Sequence, residues 1–345
     1  MEPDSTTFDA DDSIPSKIET FPFRTGQCNL SLYMDLVNDS GQGLVEMQVI
    51  ERLQAFGLLP MLMECPQSEP TCEVVCKTAR VVDRVQWVCK SCKKRQSIRS
   101  GSFFLKLQCS IVQVLQMILA WCEDADIKVA AEYFDVKPRV AISIYEKLDE
   151  MAAAEITVSK LGGEDSVVLT EMYPECLNRL SPDTTVQPHI HPILMLADTK
   201  HVPTQYRLHV MKEHLKRKPN NPNTEYINSE VQQILEKIIE PSSFRVSGST
   251  LPPLDDAHTL SQLTQHCDIE MQRFLTNRIW SQALSLCNAS RDLCKGMPSI
   301  LCAAQVQRYL DVSLYRLRYG DGFFEHMLNI IAERYTEKCD VSMEE

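Results

Sequence analysis

Five cysteines, Cys65, Cys72, Cys76, Cys89 and Cys92, fall within 28 residues of this chain, and they constrain its folding more than any other feature. Cys89-Lys-Ser-Cys92 is a C-x-x-C set directly after Val85-Gln-Trp-Val88, which reads as a strand. Tetrahedral zinc takes four soft ligands, usually from two tight knuckles. Cys89 and Cys92 supply one knuckle. For the other, Cys65 with Cys72 is preferred despite its widened gap, and Cys72 with Cys76 is the alternative. The expected ligand set is therefore Cys65, Cys72, Cys89 and Cys92 around one structural Zn²⁺. Glu73 to Val82 would form the first strand of the ribbon between the knuckles. So small a ribbon has little core of its own, so its folding should depend on the metal. The remaining cysteines are scattered singly. The first residues, Met1-Glu-Pro-Asp4, are acidic and precede no apolar run, so no secretory signal is expected. Thiols or metal ligands in a reducing compartment are the expectation, not a disulfide framework.

The same region carries a marked concentration of positive charge, and Arg207 to Lys218 is a shorter basic stretch. The total over 345 residues is −12, which by itself argues against bulk attraction to nucleic acid or anionic membrane. Yet residues 77–106 hold nine basic side chains against Asp83 alone, while residues 1–76 hold three basic and thirteen acidic ones. A basic island in an acidic chain is the expected footprint of a phosphate-contacting surface. Arg84, Lys90, Lys93, Lys94, Arg95 and Arg99 are the candidate nucleic-acid contacts. Trp87 is expected to pack the ribbon.

Length is enough for about two domains, and 44% hydrophobic with 24% charged residues is ordinary globular composition. Residues 1–25 are acidic and poorly patterned, so disorder is expected there. Apolar residues recur at helical spacing from Leu44 to Leu59, with Gly57 as a stop. The most apolar stretch, Ser110 to Trp121, falls short of the ~20 residues a membrane span needs. Helices are expected at 127–134 and 138–151, with the spacing of a helix-turn-helix. Their charges are balanced, which favours a packed hairpin over a recognition helix. Short strands are expected at 166–169 and 193–196, and helices at 229–239, 270–286 and 305–334. Residues 247–256 read as a loop.

The segment Trp87-Val-Cys-Lys-Ser-Cys-Lys-Lys-Arg-Gln-Ser-Ile-Arg-Ser-Gly-Ser-Phe-Phe104 resembles the signature of the Merlin superfamily of DNA transposases and their bacterial insertion-sequence relatives. Further landmarks are similar and fall in family order: Leu161-Gly-Gly-Glu-Asp-Ser-Val-Val-Leu-Thr-Glu171, Gly248-Ser-Thr-Leu251, Thr276-Asn-Arg-Ile-Trp-Ser281 and Tyr309-Leu-Asp-Val-Ser-Leu-Tyr-Arg316. The resemblance covers residues ~40–335. It implies an α/β fold, an RNase H-like mixed-sheet domain preceded by a zinc ribbon and a small helix-turn-helix-like region. The segments would be a disordered N-terminus (1–25), a helical lead-in (26–64), a zinc ribbon with its basic patch (65–106), a helical region (107–160) and a degenerate transposase domain (161–338).

The family's chemistry uses three carboxylates converging on two divalent ions. The resemblance places the first acid at Thr170 and the third at Asn277 when aligned on Trp280-Ser281, or at Trp280 when aligned on Thr276-Asn277, and none of these is acidic. Asp255 and Asp256 come slightly late for the second. No catalytic residue is therefore expected, and the chain should not be an enzyme. The expectation is a catalytically inactive, transposase-derived nuclear protein. It would associate with DNA or chromatin through the basic ribbon and use the dead catalytic domain as a scaffold for nuclear partner proteins. One alternative is a nuclear protein–protein adaptor with no DNA contact. Another is a working transposase, dependent on Asp255 or Asp256. No membrane and no small-molecule substrate is expected.

Overall fold

Phe21 and Phe23 stack with ring centroids 5.4 Å apart, and Phe21 meets Tyr33 and Phe134 edge-on. Two aromatic rings carry enough apolar area to anchor a chain end, so residues 21–25, expected to be disordered, are packed. The computed structural model describes residues 21–41, 44–67, 70–173, 192–200, 204–212, 224–248, 251, 254, 256–265, 268–289 and 299–341. The remainder of the acidic N-terminus, residues 1–20, lies outside the described residues.

Two helices follow, α1 (Gln27–Val37) and α2 (Val45–Phe56). α2 buries Val49, Ile50 and Leu53 and stops at Gly57, whose φ of 88° is a left-handed cap that glycine adopts without steric cost. The cysteine-rich segment then forms a three-stranded antiparallel sheet of β1 (Val74–Thr78), β2 (Val85–Cys89) and β3 (Arg95–Ser97), in that order. β2 alternates strictly: Val85, Trp87 and Cys89 are buried, while Gln86 and Val88 are half-exposed. That period of two seats one face of the sheet on the protein's core and leaves the other to solvent.

α3 (Ile111–Cys122) opens with a capping box in which Ser110 and Gln113 satisfy each other's backbone N–H groups. Nine of its twelve residues are buried, and among the described residues no helix is long and apolar enough to cross a membrane. α4 (Ile127–Tyr133) and α5 (Pro138–Val158) occupy the helix-turn-helix segment. α5 runs seven residues beyond the expected end and buries Ala141, Ile144, Leu148, Met151, Ala152 and Ile156. It is a central packing helix.

A second sheet has five strands: β4 (Val167–Tyr173), β5 (Ile193–Asp198), β6 (Tyr206–Val210), β7 (Phe244–Ser247) and β8 (His258–Thr259). Their order is β6-β5-β4-β7-β8. β4, β5 and β6 are antiparallel neighbours, while β7 runs parallel to β4 and β8 parallel to β7. The crossover before β7 is α6 (Thr224–Ile238). α6 covers one face, where Val231, Ile234 and Leu235 pack on Val168, Met172, Leu194 and Leu196. On the other face Val167, Leu169, Met195, Leu208 and Val246 join the main core.

The chain closes with α7 (Ile269–Arg273), a π-helical turn at Phe274–Ile279, α8 (Trp280–Ala289), α9 (Ser299–Tyr319) and α10 (Phe323–Val341). Arg316 of α9 lies over the Trp121 ring at 4.6 Å and donates to the Trp121 carbonyl at 2.6 Å. It thereby caps the C-terminus of α3. One hydrophobic cluster runs from Tyr33 through Trp87 of the ribbon, α3, α5 and the sheet to Ile331 of α10. The ribbon, the helical region and the sheet region share that core.

Candidate metal centre

The C-x-x-C is folded into a knuckle by its own backbone. Cys89 donates its N–H to the Lys94 carbonyl at 2.9 Å, and Lys93 donates back to the Cys89 carbonyl at 3.1 Å. Lys93 sits at φ 61° to make the reversal. The knuckle is tied to the preceding loop by the Lys90 N–H on the Glu73 carbonyl at 2.7 Å and by the Ser91 hydroxyl on the Thr71 carbonyl. The Gln96 amide holds the Glu64 carbonyl at 2.7 Å, bringing Cys65 in from the other side.

These contacts place the Sγ atoms of Cys65, Cys72, Cys89 and Cys92 within 4.8 Å of one another. Cys65 and Cys92 lie 3.3 Å apart. Zn–S bonds of ≈ 2.3 Å in a tetrahedron put sulfurs roughly 3.8 Å apart, so the four thiols enclose the right space for one ion. None of the four is in a disulfide, and 3.3 Å is far beyond an S–S bond of ≈ 2.05 Å. The Cys92 backbone N–H, aimed at the Cys89 sulfur, is the largest influence lowering that thiol to about 6. The Lys94 N–H acts similarly on Cys92, but burial and the neighbouring Cys65 and Cys89 sulfurs outweigh it and hold that thiol above its usual range. Amide donors converging on sulfur favour the thiolate form that binds metal.

Cys76 stands apart from this group. It lies within β1 opposite Trp87, half-buried against the core. Burial raises its thiol pKa, and Glu51 adds to the shift. β-Branched Val74 and Val75 carry the strand past the knuckle before Cys76 is reached, which is why the Cys72–Cys76 pairing does not form.

The basic residues divide into two kinds. Arg84, Lys90, Lys93, Lys94 and Arg95 are exposed, as are Lys77, Arg80 and Lys106. Arg84 pairs with Glu46 at 3.1 Å and Lys90 with Glu73, both in solvent, where such pairs are weak. Arg99 must be corrected. It is 6% exposed, forks onto both oxygens of Asp83, and donates to the carbonyls of Leu107 and Cys109 at 2.6 Å each. It is the buried brace of the loop leading into α3, out of reach of a phosphate. Reading charge without strand phase also passed over Lys77 and Gln86, which face solvent directly opposite each other across β1 and β2. The alternation of Val85 and Trp87 around Gln86 was the available signal.

The positions at which the resemblance would place acids are equally specific. Thr170 is buried at the centre of β4, opposite Leu196, on the α6 face. Glu171 points to the other face, and its carboxylate occupies the space that a Cβ on Gly248 would need, 1.5 Å from it. Asn277 is exposed on the π-helical turn. Asp256 is exposed at a left-handed φ of 61°, and Asp255 lies outside the described residues. Among the described residues, no second group of three or more His, Cys, Asp or Glu side chains converges to ligating distance. Comparisons of the chain with protein-family models, curated proteins and solved structures found no match.

Proposed function

We propose that this chain is a transposase-derived nuclear protein without catalytic activity, which associates with DNA through a zinc-held basic ribbon and uses its sheet domain as a scaffold for partner proteins. The observation that carries the reading is the cysteine cluster with its cationic border. Four thiols of matching geometry fix a knuckle, and Lys90, Lys93, Lys94 and Arg95 stand exposed around it. The Arg99–Asp83 pair is internal and neutral, so the positive surplus of residues 77–106 is all at the surface.

The RNase H-like part of the reading is supported by the sheet. Three antiparallel strands, a crossover helix and two parallel strands, in the order β6-β5-β4-β7-β8, put the first strand in the middle, as such domains do. The absence of catalysis is supported by Thr170. Two-metal chemistry needs hard carboxylate oxygens to hold the ions, and a neutral hydroxyl at the centre of β4 supplies no charge. Glu171 does not stand in for it, since adjacent strand residues face opposite ways.

A second reading, a protein-docking adaptor without DNA contact, is favoured by exposed Leu44, Val45, Val81 and Val82, at the α2 end and hairpin tip that the Arg84–Glu46 pair joins. Fluorescence anisotropy of the zinc-loaded full chain on duplex DNA, titrated from low to physiological salt, separates the two. The DNA reading requires tight low-salt binding whose affinity falls steeply with salt. It also requires the Lys93→Ala/Lys94→Ala/Arg95→Ala variant to flatten that slope by about three phosphates. Absence of binding at low salt overturns it in favour of the adaptor.

A further inference from the structure

We infer that the solvent face of the ribbon sheet is a sequence-reading surface for the major groove of duplex DNA, with Gln86 as the side chain that selects a base. This rests on the DNA reading above and adds which face engages and how a sequence is chosen.

The strand register fixes the face. Directly paired residues of an antiparallel sheet project to the same side. Lys77 and Ser97 therefore flank Gln86, and Val75 and Arg95 flank Val88. Both rows lie opposite the buried Val85, Trp87 and Cys89. Lys77, Arg95 and Ser97 are exposed, with Gln86, Val75 and Val88 half-exposed between them.

Dimension and chemistry agree on the partner. Strands about 4.8 Å apart make each three-residue row roughly 10 Å wide. That suits a major groove ≈ 12 Å across and excludes a minor groove of ≈ 6 Å. A glutamine amide can both accept from adenine N6 and donate to adenine N7, while valine methyls suit the thymine methyl. Lys77 and Arg95 stand on the two outer strands, where phosphates would flank the groove. Along the strands, cations bound the face at both ends, Arg80 and Arg84 at the hairpin, and Lys93 and Lys94 at the knuckle. The one acid within residues 77–106, Asp83, is neutralised by Arg99 in the interior. An acidic protein surface would answer the cations but has no use for a polar reading row between them.

The test is selection from a random-sequence duplex library by the zinc-loaded full chain, followed by anisotropy on the enriched duplex and on a scrambled one. Wild type is expected to enrich a short motif containing an adenine that Gln86→Ala no longer discriminates. The variant should lose roughly tenfold or more on the enriched duplex. On the scrambled duplex its affinity and salt slope should stay within about twofold of wild type. Lys77→Ala is expected to weaken binding to both duplexes alike and to lower the salt slope by about one. Gln86 faces solvent, so an unchanged thermal midpoint shows that the variant is folded. If the protein binds duplexes with a steep salt slope but enriches nothing, or if Gln86→Ala leaves the motif intact, the inference is overturned and the function proposed above stands. If it binds no duplex at low salt, that function fails and this inference with it.

Discussion

Arg99 shows what a residue's neighbours decide that its type does not. In sequence it is one of nine cations in a basic run, indistinguishable from Arg95. In the fold its guanidinium is taken up by Asp83 and three backbone carbonyls, those of Phe104, Leu107 and Cys109. Removing one partner of a buried pair leaves the other charged and unsolvated, at a cost of about 3–5 kcal/mol. Arg99→Ala is therefore expected to lower stability by that amount in urea unfolding, with Arg99→Lys restoring only part, because an ammonium cannot fork onto the carboxylate. Lys94→Ala, on an exposed side chain, should fall within ±0.5 kcal/mol. Equal effects of Arg99→Ala and Lys94→Ala on stability would refute the distinction. The four-cysteine group was legible at this scale, because C-x-x-C spacing after a strand limits where the sulfurs can go. Arg99 was not, because its partner Asp83 is sixteen positions away and is reached only through the hairpin that puts β2 beside β3.

At the scale of elements, periodicity carried the reading where an element had an apolar face and failed where it lacked one. α2 with its Gly57 cap, β2, β4 and β5 are all visible as patterns. β6 is not: Arg207 and His209 interrupt the apolar residues of an edge strand. β7 is four residues long and borders a Ser/Pro/Gly-rich stretch, too short for a pattern to emerge. The Leu161-Gly162-Gly163 turn explains how such short strands are held. Gly162 sits at φ 85° and donates to Asp198 at 3.0 Å, while Gly163 donates to the Ser243 hydroxyl at 2.8 Å. The turn thus pins the start of β4 to both β5 and the loop before β7. A Cβ on Gly162 would lie 2.1 Å from Ser243 Oγ and 2.8 Å from Val168 Cγ2, in a conformation that L-residues avoid. Gly162→Ala is expected to cost roughly 1–3 kcal/mol and to raise amide exchange first in β7. Protection of β7 equal to wild type would count against the turn as its anchor.

The whole molecule responds to pH through groups that its packing has desolvated. Burial holds the Asp311 carboxyl up at about 6, against the pull of Gln307 and Arg207. A folded pKa above the unfolded ≈ 3.9 means that the native state binds this proton more tightly. The group's contribution is therefore full below about pH 4, is lost as pH rises through 6, and is a constant penalty above it. Asp311→Asn keeps an acceptor for Gln307 and removes the charge, so it should gain at most about 3 kcal/mol over wild type at pH 7.5. That gain should vanish near pH 4, and a gain that persists at pH 4 would assign it to packing. A metal held by the four cysteines would act on the same single body. Val85, Trp87 and Ile98 of the ribbon lie in the cluster that includes α3 and α10, and Tyr335 of α10 meets Phe103 with centroids 6.2 Å apart. Loosening the cysteine loops therefore uncovers one side of the core shared by the whole protein. Binding that favours only the folded state stabilises by RT ln(1 + [L]/Kd), ≈ 4 kcal/mol at a thousandfold excess over Kd. Chelation is accordingly expected to lower one unfolding midpoint, seen alike by far-UV circular dichroism and tryptophan fluorescence, and zinc to restore it. Cys89→Ser should show the lowered midpoint with no response to either. Two separated transitions, only the first sensitive to chelator, would make the ribbon a unit of its own. A midpoint indifferent to both chelator and Cys89→Ser would remove the metal from the structure's stability.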